Sequence, residues 1–259
     1  MSIVWTHKPI GWTPKECVDE YKRRTNDRSK IAFAGRLDPM AYGLLPLVIN
    51  GTRSTAQELE GSYKTYQFKV VLGMTTDSYD ILGFITRITS DNNTILSLSE
   101  LDTMIDTCAQ IKVQEYPPYS SKTVYDNMTK KQVQLWLLAK EGRLPTKLPE
   151  HPVDIEYIKL LKSKVVPIDD VVLKVTSRIN ALLPSIDMRR KEILQGWKEW
   201  QTKSSGREFQ VIKCEAKVSC GTYIRSIGNM MDGVCYDISR TVYGDMTTKD
   251  LDKFEFALL

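Results

Sequence analysis

A single aspartate occupies an unusual position near the start of the chain. Asp38 is followed by Pro39 and lies between Gly35 and Gly43, in the sequence AGRLDPMAYGLLPL. Proline disfavours the helical conformation in the residue before it, so Asp38 must be extended or in a turn. An Asp-Pro pair is most often only a turn. The apolar residues that follow indicate instead that this carboxylate lies at the edge of the core, where it needs a cationic partner.

Two arginines are candidates for that partner. Arg36 lies two positions before the aspartate, and Arg225 lies in GTYIRSIGNMM, directly after a predicted strand. Gly221 would end this strand and Thr222 can cap a helix, so Arg225 would project from the first helical turn, beside the end of a sheet. Residue type alone does not decide which of the two arginines pairs with the carboxylate.

The periodicity of the chain predicts the elements that would position these side chains. Thr13, Pro14 and Glu16 form a capping-box pattern, which predicts the start of a helix. Apolar and polar residues alternate over residues 66–72 and 212–220, which predicts two strands. Further helices are predicted at residues 101–111, 131–140 and 189–200. Strands and helices do not alternate strictly, which indicates an α+β protein with an antiparallel sheet.

Basic residues concentrate in three zones, although the net charge is only +4. The zones span residues 22–36, 122–147 and 189–203. The second zone contains Tyr125 and Trp136, and the third contains Trp197 and Trp200. Cations interleaved with aromatic side chains favour the binding of single-stranded or looped RNA. Each zone taken singly is equally consistent with a solvated helix face.

Composition excludes several classes of function. The chain has 259 residues, 42% of them hydrophobic, and can bury a substantial core. His7 and His151 are the only histidines, so a zinc site or a histidine-centred triad lacks partners and no metal is expected. The five cysteines include no C-x-x-C pair, which predicts reduced, buried thiols. The longest apolar run, residues 44–49, is too short to span a bilayer, so we expect an intracellular, cytoplasmic protein without a membrane partner.

Five sequence blocks resemble one family of enzymes. They are HKPIGWTPKECVDEYKRR, AGRLDPMAYGLLPLVINGTR, SYKTYQFKVVLGMTTDSYDILG, YPPYSSKTVYD and VSCGTYIRSIGNMM. Their order is that of the TruB-type pseudouridine synthases, which isomerise uridine in the T-loop of tRNA. The resemblance implies the pseudouridine synthase fold, with a mixed, mainly antiparallel central sheet flanked by helices and an RNA-binding thumb at about residues 115–150. It also implies a reaction without a cofactor, because no atoms are gained and no redox change occurs.

The resemblance assigns roles to individual residues. Asp38 matches the nucleophilic aspartate, and Arg225 matches the arginine that pairs with it. Tyr66 matches the tyrosine that stacks on the flipped base and is proposed to remove the ribose C2′ proton. The residues expected to bind substrate are Phe33, Arg36, Lys64, Tyr223 and Val242. Phe33 stands where the family usually has a histidine and Arg36 replaces a small residue, so recognition of the RNA loop is expected to differ.

The resemblance covers most of the chain and predicts one catalytic domain over residues 1–259, acting as a monomer. A segment at about residues 160–208 is longer than the family pattern implies and is expected to decorate the surface. The chain stops soon after SRTVYGDMTTKDL, so no C-terminal PUA domain is expected. Affinity for the tRNA elbow would then be lower or depend on another surface.

Three other functions fit parts of the same pattern. A synthase acting on mRNA, rRNA or another structured RNA would use the same residues. An RNA-binding or tRNA-folding factor of the same fold would bind RNA and leave every uridine unchanged. A glycosidase would need a second carboxylate across a cleft from Asp38, for which Asp77 and Asp80 are the candidates. The cationic aromatic zones favour RNA over a carbohydrate.

Overall fold

The structure is a computed structural model that describes residues 1–88, 95–186 and 189–253. Its strands are β1 (Ser2–Lys8), β2 (Ile31–Phe33), β3 (Tyr42–Ile49), β4 (Lys64–Leu72), β5 (Met74–Thr76), β6 (Ile85–Ile88), β7 (Val113–Glu115), β8 (Thr123–Asp126), β9 (Lys131–Gln134), β10 (Glu150–Pro152), β11 (Ile155–Pro167), β12 (Glu208–Val218), β13 (Gly233–Tyr243) and β14 (Met246–Thr247). Its helices are α1 (Pro14–Thr25), α2 (Arg53–Gly61), α3 (Leu98–Ala109), α4 (Leu135–Lys140), α5 (Ile168–Asn180), α6 (Arg190–Lys203) and α7 (Ile224–Met230), and a 3-10 helix covers Thr248–Lys253.

Eight of these strands form one mixed sheet. The order along its main path is β1-β3-β13-β4-β12-β11, with β2 paired to β3 and β14 paired to β13. All neighbouring strands are antiparallel except β3 and β13, which run parallel. The mixed, mainly antiparallel sheet expected from the family resemblance is confirmed. Because β13 lies between β3 and β4, the last part of the chain is placed beside the first part at the centre of the sheet.

The predicted alternation of strand β4 is present in the structure. Tyr66, Phe68 and Val70 are buried, whereas Gln67 and Lys69 are partly exposed. One face of this strand therefore belongs to the core, as the period of two residues predicts. The strand begins two residues earlier than predicted.

Strand β12 ends earlier than the alternation suggested. Its last residue is Val218, because Gly221 follows with a φ of +85°, a conformation that glycine adopts without strain. Cys220 lies between them, outside the strand, and is exposed. The prediction that all the thiols are buried is wrong for this cysteine, although all five are free.

Helix α1 begins with the predicted capping box. The Glu16 carboxylate accepts a hydrogen bond from the backbone N–H of Thr13 at 2.7 Å, and the Glu16 N–H donates to the Thr13 hydroxyl at 3.5 Å. Pro14 occupies the first helical position, where no backbone donor is needed. Trp12 packs against the cluster that contains Cys17, so the helix is anchored on its buried side.

Residues 160–208 contribute to the main hydrophobic core, so the expectation that they decorate the surface is wrong. β11 extends the sheet, α5 packs against β11, and α6 packs against α5. Trp197 and Trp200 of α6 are 1% and 5% exposed and lie in the same cluster as residues of β4 and β12. Their rings meet edge to face at 5.6 Å. Neither tryptophan is available to stack on RNA, which corrects the interpretation of the third basic zone.

A hairpin replaces the first part of the helix predicted at residues 131–140. Strand β9 pairs with β8, and only the second half of the predicted segment is helical, as α4. The Asp126 carboxylate accepts hydrogen bonds from the N–H groups of Met128 and Thr129 at 3.1 and 3.3 Å, which closes the turn between the strands. Val133 then faces Val124 across the hairpin. Pairing with β8 therefore overrides the local helical pattern.

The other predicted helices are present with shifted ends. The helix expected at residues 101–111 is α3, and the helix expected at residues 189–200 is α6. Within the described residues, none of the helices combines the length and the apolar character needed to cross a membrane.

Candidate active site

One cavity of about 310 Å³ opens beside the central strands of the sheet. Its walls come from the loop between β2 and β3, from β4 and β13, from the turn before α7, and from the segment before β8. Six of the predicted site residues line it, namely Arg36, Asp38, Lys64, Tyr66, Tyr223 and Arg225. Phe33 and Val242 are not among the lining residues.

Asp38 lies in the loop between β2 and β3, and its side chain is 37% exposed. The backbone N–H of Ala41 donates to the Asp38 carbonyl at 3.0 Å, which closes a turn. The buried Lys8 ammonium donates to the carbonyl oxygens of Pro39 and Ala41 at 3.5 and 2.5 Å. The N–H of Gly11 also donates to the Pro39 carbonyl, at 2.8 Å. The backbone that follows Asp38 is therefore held by β1 and by the turn after it.

Arg225 is the cationic partner of this carboxylate. The fully buried guanidinium donates from Nε to Asp38 Oδ2 at 2.8 Å. Its Nη1 donates to the Ser78 carbonyl at 2.9 Å, and its Nη2 donates to the Tyr119 carbonyl at 2.8 Å. Three hydrogen bonds fix the direction of the planar group. Of the two arginines that the sequence left open, the structure pairs Arg225 and not Arg36 with the aspartate.

A second carboxylate lies near Arg225, inside the core. Oδ1 of the buried Asp80 accepts from the Ser78 hydroxyl at 2.7 Å and from the Leu82 N–H at 2.9 Å. Burial raises the pKa of Asp80 to about 6, against the opposing influence of the guanidinium. Burial alone would lower the pKa of Arg225, but the charges of Asp38 and Asp80 raise it above its ordinary value. The guanidinium therefore stays charged beside Asp38.

Tyr66 lines the cavity from β4, and a second buried arginine contacts its hydroxyl. Nη1 of Arg240, on β13, lies 3.4 Å from the Tyr66 hydroxyl oxygen. The same guanidinium donates from Nε to the Leu44 carbonyl at 2.7 Å and from Nη2 to the Gly35 carbonyl at 3.0 Å. Arg240 thus connects the loop that carries Asp38 to the strand that carries Tyr66.

Sequence reasoning did not single out Arg240 and selected Val242 instead. A register shift in β13 pairs Arg240 with Tyr66 but Val242 with Thr65. Cross-strand partners share a face of the sheet, and consecutive residues of β4 face opposite sides. Arg240 therefore shares the face of Tyr66, while Val242 lies on the other face. The register shift interrupts the period of two residues in β13. The alternation of the sequence therefore does not show that Arg240 shares the face of Tyr66.

Lys64 is buried at the start of β4, between two neighbouring strands, and is not a solvated residue of an edge strand. Its ammonium donates to the carbonyl oxygen of Ser62 at 2.6 Å and to that of Glu60. It also lies 4.6 Å from the centre of the Tyr243 ring. Burial lowers the pKa of Lys64 to about 8. The side chain is thus a poorly hydrated cation in the cavity wall.

Tyr223 caps α7 through its backbone. The Gln114 side chain of β7 accepts from the Tyr223 N–H at 2.8 Å and donates to the Tyr223 carbonyl at 3.2 Å. The helix begins after this residue, so the predicted cap at Thr222 is wrong. Gln114 thus does what a local capping side chain would otherwise do. Because it lies 109 positions from Tyr223, local sequence patterns could not identify it. Burial raises the pKa of Tyr223 to about 12, so the hydroxyl stays protonated.

Arg36 and Phe33 form a pair at the rim of the cavity. The Arg36 side chain is exposed, and its guanidinium carbon lies 5.6 Å from the centre of the Phe33 ring. Phe33 packs against the cluster under α1. Within the described parts of the chain, Arg36 has no carboxylate partner. Its charge is therefore available to a ligand at the rim, supported by the ring of Phe33.

The described ranges contain no group of three or more His, Cys, Asp or Glu side chains that could hold a metal ion.

Comparison with known proteins assigns first the fold and then the family. The fold is shared with a chain of a solved Cbf5-Nop10-Gar1 complex, with a TM-score of 0.50 and 17% identity, over 94% of this chain and 50% of that chain. A family model described as TruB family pseudouridylate synthase, N-terminal domain, matches residues 22–179, which is more than half of the chain. The chain belongs to this family, and the expected pseudouridine synthase fold is confirmed.

Several similar relatives share one description, tRNA pseudouridine synthase B. A tRNA pseudouridine synthase B of Thermosipho melanesiensis is 33% identical over 156 residues, covering 60% of this chain and 47% of the relative. A protein of the same name from Clostridium novyi is 27% identical over 253 residues, covering 98% of this chain and 66% of the relative. For most of the similar curated relatives, the matched region is about half of their length.

Proposed function

We propose that this chain is an RNA pseudouridine synthase that converts uridine to pseudouridine, with the T-loop uridine of tRNA as its substrate. The observation that carries the proposal is the Asp38–Arg225 pair in a cavity that Tyr66 also lines. Membership of the TruB family and the names of the matched relatives support the same reaction. We propose further that the enzyme acts as a monomer in the cytoplasm, where free thiols such as these persist.

The reaction requires few groups. The N-glycosidic bond between N1 and C1′ of uridine breaks, the uracil turns within the pocket, a new bond forms between C5 and C1′, and the hydrogen of C5 is replaced by one on N1. The enzyme needs a carboxylate that acts at the ribose, a base that moves one proton, and walls that retain the loose uracil. Because the product has the same atoms and the same oxidation state as the substrate, the reaction balances without a co-reactant.

The three residues of the site supply those groups in this proposal. Arg225 keeps Asp38 aimed, since its guanidinium cannot turn without losing two backbone hydrogen bonds. The Tyr66 ring is a surface on which the uracil stacks, and its phenolic oxygen, acting without its own proton, takes the ribose C2′ proton and returns it to C2′ when the new bond forms. Arg240 orients that oxygen. At about 310 Å³ the cavity lies at the small end of the range for ligand pockets, which suits a single nucleoside.

The RNA must extrude its target nucleotide to reach this cavity, at a cost of roughly a few kcal/mol. Contacts elsewhere have to offset that cost. We define the thumb as residues 115–150, which include the hairpin β8–β9 and α4. It presents Tyr125 and Trp136, which are 55% and 38% exposed, and the exposed Lys130 and Lys131. Exposed rings and cations of this kind suit the loop of an RNA hairpin.

A glycosidase is the less suitable function for the same cavity. Asp77 and Asp80 do not line it. Oδ2 of Asp77 accepts hydrogen bonds from Tyr119 and from Arg189, and Asp80 is buried beneath the surface. Neither carboxylate is placed across a cleft from Asp38, as the hydrolysis of a glycoside would require.

The test is to incubate a T-arm RNA hairpin with the wild-type protein and with Asp38→Asn, and to map pseudouridine by a carbodiimide block of primer extension. We expect modification by the wild type and none by Asp38→Asn, because the amide cannot act as the nucleophile. Asp106→Asn, an exposed change on α3, is the matched control and should leave the activity unchanged.

The same experiment separates the remaining alternatives. Mapping after incubation with total RNA would reveal a target outside tRNA, and a signal found only there would replace the T-loop assignment. RNA binding without modification of any uridine by the wild type would identify an RNA-binding factor and would contradict the enzymatic proposal. Equal modification by wild type and Asp38→Asn would contradict the role of Asp38.

A further inference from the structure

An arginine outside the family match contacts the parts of the chain that hold Arg225. Arg189 directly precedes α6, whereas the match to the family model ends within α5. We propose that Arg189 is a positioning residue, which keeps the Arg225 guanidinium aimed at Asp38 by fixing Asp77 and Tyr119. This proposal rests on the function proposed above. Arg189 is not among the residues that line the cavity, so it acts through other groups.

The Arg189 side chain is held between a carboxylate and two aromatic rings. Its Nη1 donates to Asp77 Oδ2 at 3.1 Å, and the Tyr119 hydroxyl donates to the same oxygen at 3.1 Å. Its guanidinium carbon lies 4.4 Å from the centre of the Phe84 ring and 4.8 Å from that of Tyr119. A planar guanidinium can combine an ion pair with stacking in this way, whereas an ammonium cannot.

These contacts fix the carbonyl groups that Arg225 uses. Two of the three Arg225 hydrogen bonds end on the carbonyl oxygens of Ser78 and Tyr119. Ser78 directly follows Asp77, and Tyr119 is itself in contact with Arg189. A shift of either segment would move these acceptors, and the guanidinium would turn with them. The third hydrogen bond, to Asp38, would then lose its alignment.

The other end of the connection between α5 and α6 is linked through Gly11 to the loop that carries the aspartate. The Leu183 N–H donates to the Gly11 carbonyl at 3.1 Å, and the Gly11 N–H donates to the Pro39 carbonyl at 2.8 Å. A Cβ atom at Gly11 would lie 1.8 Å from the Ala181 carbonyl oxygen, so only glycine allows this approach. The described ends of the connection therefore contact residues that support each side of the Asp38–Arg225 pair, namely Gly11 on one side and Asp77 and Tyr119 on the other.

Steady-state kinetics on T-arm RNA test the positioning role. We expect Arg189→Met to lower kcat by about 10- to 100-fold, because small misalignments of catalytic groups have effects of this size. KM should stay within about twofold of the wild type, because the residue does not contact the substrate. Arg189→Lys should recover only part of the loss, since it keeps the charge but not the stacking.

Two variants of the chain serve as comparisons for Arg189→Met. Lys198→Met, an exposed change on α6, is the control and should behave as the wild type. Asp77→Asn should lower kcat as Arg189→Met does, and the double variant should be no worse than either single one, because both remove the same contact. A rise in KM at unchanged kcat would show that Arg189 contacts RNA. If the kcat losses of the two single variants added up in the double variant, Arg189 and Asp77 would act independently. Either result would overturn the proposal.

A measurement that does not depend on activity keeps the two proposals distinguishable. The side-chain Nε–H signal of Arg225 can be observed by ¹⁵N NMR and assigned by its loss in Arg225→Lys. We expect its exchange with water to become at least about tenfold faster in Arg189→Met and in Asp77→Asn, because the hydrogen bond to Asp38 loosens. Unchanged exchange in variants that remain folded by circular dichroism would contradict the positioning role, whether or not the wild type modifies RNA.

Discussion

The thumb and helix α6, which contains most of the third basic zone, have similar compositions but differ in the exposure of their aromatic side chains. Both combine lysines and arginines with aromatic side chains, and both are candidates for RNA binding by sequence. In the structure, Tyr125 and Trp136 of the thumb face solvent, whereas Trp197 and Trp200 of α6 are buried in the main core. The same residue types therefore face solvent in one region and form part of the core in the other.

Spacing explains the difference better than composition does. Ile193, Trp197 and Trp200 follow each other at intervals of four and three residues, which places them on one face of a helix. The lysines of α6 lie on the remaining faces. In the thumb, the hairpin β8–β9 is too small to bury both of its sides, so the ring of Tyr125 stays exposed. A cation-rich, aromatic segment should thus be assigned to RNA only after helical spacing has been examined.

The largest effect that this comparison predicts is on stability. Trp197→Ala should lower the free energy of unfolding by about 3–5 kcal/mol, because it removes a large buried ring and leaves a cavity. Urea denaturation followed by circular dichroism would measure the change. Trp136→Ala is the matched substitution in the thumb and should shift stability by no more than about 0.5 kcal/mol. Similar losses for the two variants would show that the regions do not differ in packing.

A second prediction extends the comparison to cations. Burial lowers the pKa of Lys8 to about 7, whereas an unfolded lysine titrates near about 10.4. The unfolded chain therefore binds more protons above pH 7, and stability rises with pH. The contribution from Lys8 should increase by about 2 kcal/mol between pH 7 and 9, and this increase should be absent in Lys8→Met.

Denaturation of both proteins across this pH range would measure the difference in slope. Lys130→Met removes an exposed thumb cation and should keep the slope of the wild type. If the free energy of unfolding of Lys8→Met rose with pH as steeply as that of the wild type, the buried ammonium of Lys8 would have an ordinary pKa.

The third prediction concerns RNA affinity. Trp136→Ala should weaken binding to a T-arm hairpin about fivefold, which corresponds to roughly 1 kcal/mol and to the lower end of the range for base stacking. We expect the lower end because the ring is only partly exposed and its Nε1 already donates to the Gln134 side chain at 2.6 Å. Fluorescence anisotropy would measure the dissociation constant. Leu173→Ala, an exposed apolar change on α5, should leave the dissociation constant unchanged. If Leu173→Ala weakened RNA binding as much as Trp136→Ala does, the thumb would not be the preferred RNA-binding region.

The smallest expected effect is on salt dependence. Lys130→Ala and Lys131→Ala should each reduce the slope of log K against log salt by about 0.7, if each lysine neutralises one phosphate of an unpaired strand. The matched changes Lys191→Ala and Lys198→Ala on α6 should leave the slope unchanged. Titrations at several salt concentrations would measure it. A reduced slope for the α6 variants instead would place the RNA on the other side of the molecule.

Local features of the fold were predictable because their causes are local. The capping box of α1 depends on residues three apart, and the alternation of β4 is a direct consequence of the strand period. Where the chain could choose a distant partner, local patterns failed. Residues 131–134 joined a hairpin, Gln114 capped α7 in place of Thr222, and a register shift turned Val242 away from Tyr66.

Backbone geometry over a few residues is enough to predict that Pro39 keeps Asp38 out of a helix and that Arg225 lies in the first turn of a helix after Gly221. The meeting of these two side chains is a property of the tertiary structure, because they are 187 positions apart. Their meeting requires β13 to lie between β3 and β4. That placement depends on the packing of the whole sheet, which no short segment of the chain encodes.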